Sequence, residues 1–128
     1  MIGLAIISHS EKLAEGAAEL TREMAQDVPV SFAGGTVDGR LGSSLEKIIC
    51  AIESVYSDDG VIILFDLGSS VMTAEVAIEN MEEYKRSKIH IVDAPLVEGA
   101  IVAAIEISSG KSIQEVLDTL KAYKLNKY

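Results

Sequence analysis

Two hydrophobic rhythms alternate along the chain. Four short runs are apolar at most positions and rich in Val, Ile and Phe: "IGLAII" at 2–7, "PVSFA" at 29–33, "GVIILF" at 60–65 and "KIHIVD" at 88–93. They read as β-strands. Between them the apolar residues recur near every 3.6 positions, as on a helix packed along one face. Leu45, Ile48, Ile49, Ile52 and Val55 form one such stripe, and Ile113, Val116, Leu117 and Leu120 another. Met72 and Met81 also fall where a helix face would pack. The predicted order is β-α-β-α-β-α-β-α, then one more helix.

Helix starts are legible as chemistry. Ser8-x-x-Glu11, Ser43-x-x-Glu46 and Ser112-x-x-Glu115 each match the capping box, in which a hydroxyl and a carboxylate satisfy amides that the first turn leaves unpaired. Ser8, Ser43 and Ser112 are therefore the predicted N-caps, and His9 becomes the first residue of its helix. The final "KLNKY" is expected to fray.

Strands such as "VIILF" are apolar on both faces, the mark of a parallel sheet covered by helices on each side. The expected architecture is a doubly wound α/β fold with a mainly parallel central sheet in the order 2-1-3-4, one domain over 1–128, without linker or repeat. In such folds ligands bind beyond the carboxyl ends of the strands, near the point where strand order reverses. The residues at those ends are Ser8, His9 and Ser10; Gly34, Gly35 and Thr36; Asp66 to Ser70; and Asp93 to Pro95. Order 2-1-3-4 brings the first and third strands together, so His9 and Asp66 emerge side by side.

Composition narrows the classes. With 20 acidic against 11 basic residues the net charge is -9, and the basic residues cluster only at "KRSK" (85–88), so a nucleic-acid surface is not expected. No apolar run approaches the ~20 residues of a membrane span, and "MIGLAII" has no basic region ahead of it, so a soluble, cytoplasmic protein is expected. The single cysteine, Cys50 in "IICAI", suits a small core residue in a reducing compartment.

A histidine at a strand end beside a carboxylate is a candidate nucleophile. The carboxylate fixes the ring tautomer, frees the other nitrogen's lone pair and supports the positive charge that develops on attack. Gly68, Ser69 and Ser70 in "DLGSS" offer backbone access and hydrogen-bond donors at a helix start, which suits phosphoryl oxygens. The glycine-rich "AGGTVDGRLGSS" (33–44) supplies a second loop on the same edge, including Arg40. His90, alternating within its strand, reads as structural. Neither G-x-x-x-x-G-K-[ST] nor G-x-G-x-x-G is present, which argues against nucleotide binding by this chain alone, and no metal site is expected.

Several mechanisms fit parts of this set. A receiver-like phospho-acceptor could use Asp66 but lacks an acidic pair after the first strand. A Ser-His-Asp hydrolase could combine Ser69 or Ser70 with His9 and Asp66, yet has no G-x-S-x-G elbow. A histidine phosphoryl carrier uses every feature, and a non-catalytic binding domain requires none of them.

The succession "IISHS" (6–10), "FAGGTVDGRLGSS" (32–44), "ILFDLGSSVMTAE" (63–75) and "VDAPLVEGA" (92–100) resembles, over essentially the whole chain, the mannose-type enzyme IIA family. Within it the likeness is to the phosphotransfer subunits of phosphoenolpyruvate-dependent dihydroxyacetone kinases. The resemblance implies a phosphotransferase relay in which the carrier protein HPr phosphorylates His9 at Nε2 while Asp66 orients the ring through Nδ1. Ser10, Gly34, Gly35, Thr36, Arg40, Gly68, Ser69 and Ser70 would then bind the phosphoryl group or the partners. The acceptor would be ADP, held with magnesium by the kinase's nucleotide-binding subunit, so this chain would bind no cofactor itself. A homodimer is implied as well. The alternative branch is an enzyme IIA of a mannose-family sugar transporter, passing phosphate to enzyme IIB. One departure is "GGTVDG", where a second acidic residue beside Asp38 would be expected, which leaves a partner contact there open.

Overall fold

A computed structural model describes residues 1–128. Strands β1 (Gly3–Ser8), β2 (Val30–Gly34), β3 (Val61–Phe65) and β4 (Ile89–Val92) form one parallel sheet in the order β2-β1-β3-β4, as expected. The helices are α1 (Glu11–Met24), α2 (Leu45–Val55), α3 (Ser69–Glu79), α4 (Glu83–Arg86), α5 (Leu96–Ser108) and α6 (Ile113–Lys121). The single turn α4 is too short to leave a periodic signal and was not anticipated.

Each face of the sheet has its own core, because side chains alternate across the strands. Leu4, Ile6, Ile62 and Leu64 pack against α1, α5 and α6, meeting Ala18, Ala103, Val116 and Leu120. Ala5, Ile7, Ile63 and Phe65 face α2 and α3, meeting Ile48, Ile52, Val55 and Val71. The central strands β1 and β3 are buried on both sides, which explains their unbroken apolar runs. His90 lies part-buried on the edge strand β4, and burial pushes its pKa down.

Two sequence expectations fail for one geometric reason. Along α2 the buried residues are Ile48, Ala51, Ile52 and Val55. Cys50 is two positions beyond Ile48, about 200° around the helix, and is exposed rather than core. On α3 the buried set is Ser70, Val71, Ala74 and Ala77, leaving Met72 exposed, whereas Met81 is buried as expected.

The predicted caps shift too. Ser10, not Ser8, caps α1, accepting from the Leu13 amide, so His9 lies just outside the helix. Ser44, not Ser43, caps α2, accepting from Lys47. Only Ser112 and Glu115 form the full reciprocal box. Within the closing "KLNKY", Lys127 and Tyr128 lie against Phe65 at the carboxyl edge of the sheet, while Lys124, Leu125 and Asn126 are exposed.

Candidate phosphoryl-transfer site

The site is assembled where β1 and β3 end. Ile7 pairs with Phe65 in the sheet, so the next residues on each strand leave it together. The two chains are then stitched through one carboxylate. Asp66 Oδ2 accepts from the Ser8 hydroxyl at 2.8 Å and the His9 amide at 2.9 Å, while Oδ1 accepts from the Leu67 amide at 2.7 Å. His9 Nδ1 lies 3.1 Å from Oδ1. Burial disfavours the Asp66 anion, but the His9 amide, the Ser8 hydroxyl, the His9 ring and the Leu67 amide together outweigh it and hold the pKa below the ordinary carboxylate value.

An ionised Asp66 can only accept, so the network assigns the imidazole proton to Nδ1 and leaves the lone pair on Nε2. Nε2 sits 2.8 Å from the Ser69 hydroxyl, which donates to it, and the Ser70 hydroxyl lies 3.2 Å from Nδ1 and 3.3 Å from Asp66 Oδ1. Ser69 opens α3, whose dipole favours negative charge at this end, while the Ser70 and Val71 amides donate to the carbonyls of Leu67 and Gly68 at 3.0 and 3.1 Å. Nε2 thus faces the N-terminal end of α3. His9 itself is one-quarter exposed.

The second loop flanks this pair without adding charge to it. Its Gly42 amide donates to the His9 carbonyl at 2.8 Å, and the Gly35 amide points to the Ser8 carbonyl at 3.4 Å. Gly34 permits close packing: a Cβ there would come within 2.4 Å of the Ser10 carbonyl oxygen. Thr36 closes the loop through its amide to the Arg40 carbonyl at 2.8 Å. The Arg40 guanidinium is engaged by Asp38 at 3.0 Å and exposed to solvent, not directed at His9 by any contact. Ser10 uses its hydroxyl as the α1 cap.

Sequence reasoning assigned Ser8 to a cap and missed its bond to Asp66. The available signal was a serine directly before the histidine at the end of a strand apolar on both faces. Lys127 was missed altogether. Its amide donates to Asp93 Oδ2 at 2.8 Å, and its ammonium donates to the carbonyls of Phe65 and of Ala94, the latter at 2.7 Å. Gly68 accommodates this tail, because a Cβ there would stand 2.4 Å from the Lys127 carbonyl oxygen.

None of the four main concavities is lined by His9 or Asp66. The largest, about 580 Å³, runs along the outer edge of β2 past Phe32 and Cys50. The imidazole therefore lies outside these four concavities. The family described as the PTS system fructose IIA component, EIIA-man, matches residues 3–117. The chain belongs to this family. Among EIIA-man relatives, the PEP-dependent dihydroxyacetone kinase 2 phosphoryl donor subunit DhaM of Listeria innocua is 38% identical over 121 residues, 94% of this chain and 97% of that one. The PEP-dependent dihydroxyacetone kinase phosphoryl donor subunit DhaM of Escherichia coli is 36% identical over 121 residues, 91% of this chain but 26% of its own length. A crystal structure of a protein of unknown function superposes with a TM-score of 0.85 at 32% identity, over 99% of this chain and 98% of the other. No helix of this EIIA-man protein is long and apolar enough to cross a membrane.

Proposed function

We propose that the chain is a phosphoryl carrier whose His9 Nε2 accepts a phosphoryl group from phospho-HPr and passes it to ADP. In the first step the Nε2 lone pair attacks phosphorus as the P–N bond of the donor's phosphohistidine breaks, and the electron pair returns to the donor's ring. In the second, a terminal oxygen of ADP attacks, the P–Nε2 bond breaks, and the lone pair returns to His9. The relatives' names describe a phosphoryl donor subunit of a dihydroxyacetone kinase; in this reading the ADP and its magnesium are held by that kinase's nucleotide-binding subunit. Positioning and charge stabilisation carry most of such a transfer. Asp66 supports the positive ring, and the start of α3 with Ser69 and Ser70 receives the phosphoryl oxygens.

The observation that carries this reading is the Asp66–His9–Ser69 line, with Nδ1 held at 3.1 Å and Nε2 at 2.8 Å from the Ser69 hydroxyl. Exposed Val37, Leu41, Leu67 and Met72 are carried by the loops and helix start of the same edge, which suits protein partners. The reading also places the protein in the cytoplasm, as a homodimer. The same three residues could serve a Ser-His-Asp hydrolase, but a small substrate needs a pocket that His9 does not line.

Incubation with phosphoenolpyruvate, enzyme I and HPr is expected to give an acid-labile, alkali-stable phosphate that His9→Ala abolishes. Equal labelling of that variant overturns the proposal, and ester turnover without a phosphoryl donor would indicate the hydrolase. Phosphorylated protein should discharge rapidly to the ADP-loaded kinase subunits. Discharge to a mannose-type enzyme IIB alone would move the chain to the sugar-transport branch.

A further inference from the structure

The segment after α6 returns to the carboxyl edge of the sheet and ends against the loop that carries Asp66. Lys127 meets this loop on both sides. Its ammonium donates to the carbonyl of Phe65, the residue before Asp66, and lies 4.2 Å from the Phe65 ring centroid. Its own carbonyl occupies the space that a side chain at Gly68, two residues after Asp66, would need. A second bond from the ammonium reaches the Ala94 carbonyl, its amide is anchored by the buried Asp93, and Tyr128 packs edge-on against Phe65 with centroids 5.5 Å apart.

We propose that Lys127 is a positioning residue for phosphoryl transfer, clamping the Phe65–Gly68 segment so that Asp66 holds the His9 ring, and placing a fixed positive charge behind that pair. The inference rests on the carrier reading of His9 given above. Two consequences follow from one side chain. The clamp limits movement of the Asp66 carboxylate, whose displacement would release Nδ1 and misdirect Nε2. The charge favours the Asp66 anion, which accepts the Nδ1 proton and so leaves the lone pair on Nε2. Burial lowers the pKa of Lys127 while Asp93 and Asp66 act to raise it, so the ammonium is electrostatically coupled to the site as well as packed against it.

Other charges surround His9. Glu11 opens α1 and pairs at 3.1 Å with Lys47 of α2, and Asp38 pairs with Arg40 in the second loop. Asp66 contacts the ring, and Asp93 lies behind Lys127 at the end of β4. Glu11 and Lys47, and Asp38 and Arg40, compensate one another locally. Asp93 opposes Lys127 and would be left uncompensated by its loss, so the two effects of removing Lys127 act in the same direction on the ring.

The test is the ¹⁵N–¹H NMR spectrum of the His9 ring in the intact chain, which reports its tautomer and requires no phosphorylation. Lys127→Met keeps the aliphatic stem and removes the charge; the His9 ring nitrogens should move from the single Nδ1–H tautomer toward a mixture of the two. Phosphoryl acceptance from phospho-HPr at neutral pH should fall about tenfold, seen mainly in kcat because the partner surface is unchanged. Lys127→Arg should restore both, and Gly68→Ala, which displaces the Lys127 carbonyl, should reproduce the Met phenotype if the Met variant does not fold. His9 ring signals and a transfer rate in folded Lys127→Met equal to wild type overturn the proposal. So does loss of transfer with unchanged ring signals that Lys127→Arg does not rescue, which would mark a merely structural tail. Failure of wild type to accept phosphate would count against the carrier reading, whereas the ring spectrum judges the Lys127 coupling separately.

Discussion

At the scale of single residues the site turns on how many donors one carboxylate collects. Asp66 receives the Ser8 hydroxyl, the His9 and Leu67 amides and the His9 ring, and its pKa is depressed. A group whose folded pKa lies below its unfolded value stabilises the fold fully above the unfolded pKa, about 3.9, and loses that contribution as pH falls through the folded value. The amide of Asp66→Asn neither titrates nor satisfies four donors as an anion does. The variant should therefore be less stable than wild type at pH 7, with a gap that narrows as pH falls below about 4; urea midpoints across pH 3 to 7 measure it. A gap independent of pH would mean that the carboxylate's charge is not what holds the strands together. His9 and Asp66 were both legible as candidates, because two strand ends and one strand order suffice to bring them together. Ser8 was not, since its bond spans 58 positions and its local spacing to Glu11 imitated a cap.

Among the elements, strands and most helices were legible because their signals are periodic and the cores obey them. What the pattern could not give was the phase of each helix start or the path of the tail. Ser43 and Ser44 are both capping residues, and only the entry of the chain into α2 selects Ser44. The tail after α6 carries no period at all; its fixed place depends on Asp93, Phe65 and Gly68, which lie far away in sequence. The junction of β2 with α1 depends likewise on a missing side chain. Gly34→Ala would put a methyl group 2.4 Å from the Ser10 carbonyl oxygen and 2.8 Å from the Glu11 Cα, both backbone atoms that cannot simply rotate away. The expected cost is about 1–3 kcal/mol, as for other forced overpacking, read as a lower urea midpoint with the slope unchanged. Because Ser10 adjoins His9, labelling by phospho-HPr should fall together with stability. A neutral substitution would show that α1 can retreat without strain.

For the whole molecule, the net charge of -9 acts in opposite senses on the two associations proposed for it. Two copies of the chain repel one another, so salt that screens the repulsion should strengthen the homodimer. A phosphoryl donor with a basic docking face is attracted instead, and the same salt should slow its encounter. Sedimentation of the purified protein between about 20 and 500 mM salt, where the Debye length falls from roughly 20 to 4 Å, should show a mass near twice 13.7 kDa that is held at lower protein concentration as salt rises. Over the same range the second-order rate of His9 phosphorylation at low donor concentration should fall several-fold, while the rate at saturating donor changes little, because the chemistry depends on Asp66 and the start of α3 rather than on the distant field. A phosphorylation rate that rises with salt would require an acidic donor face, and docking would then rest on the exposed Leu67, Met72, Val37 and Leu41 rather than on the charge of the fold.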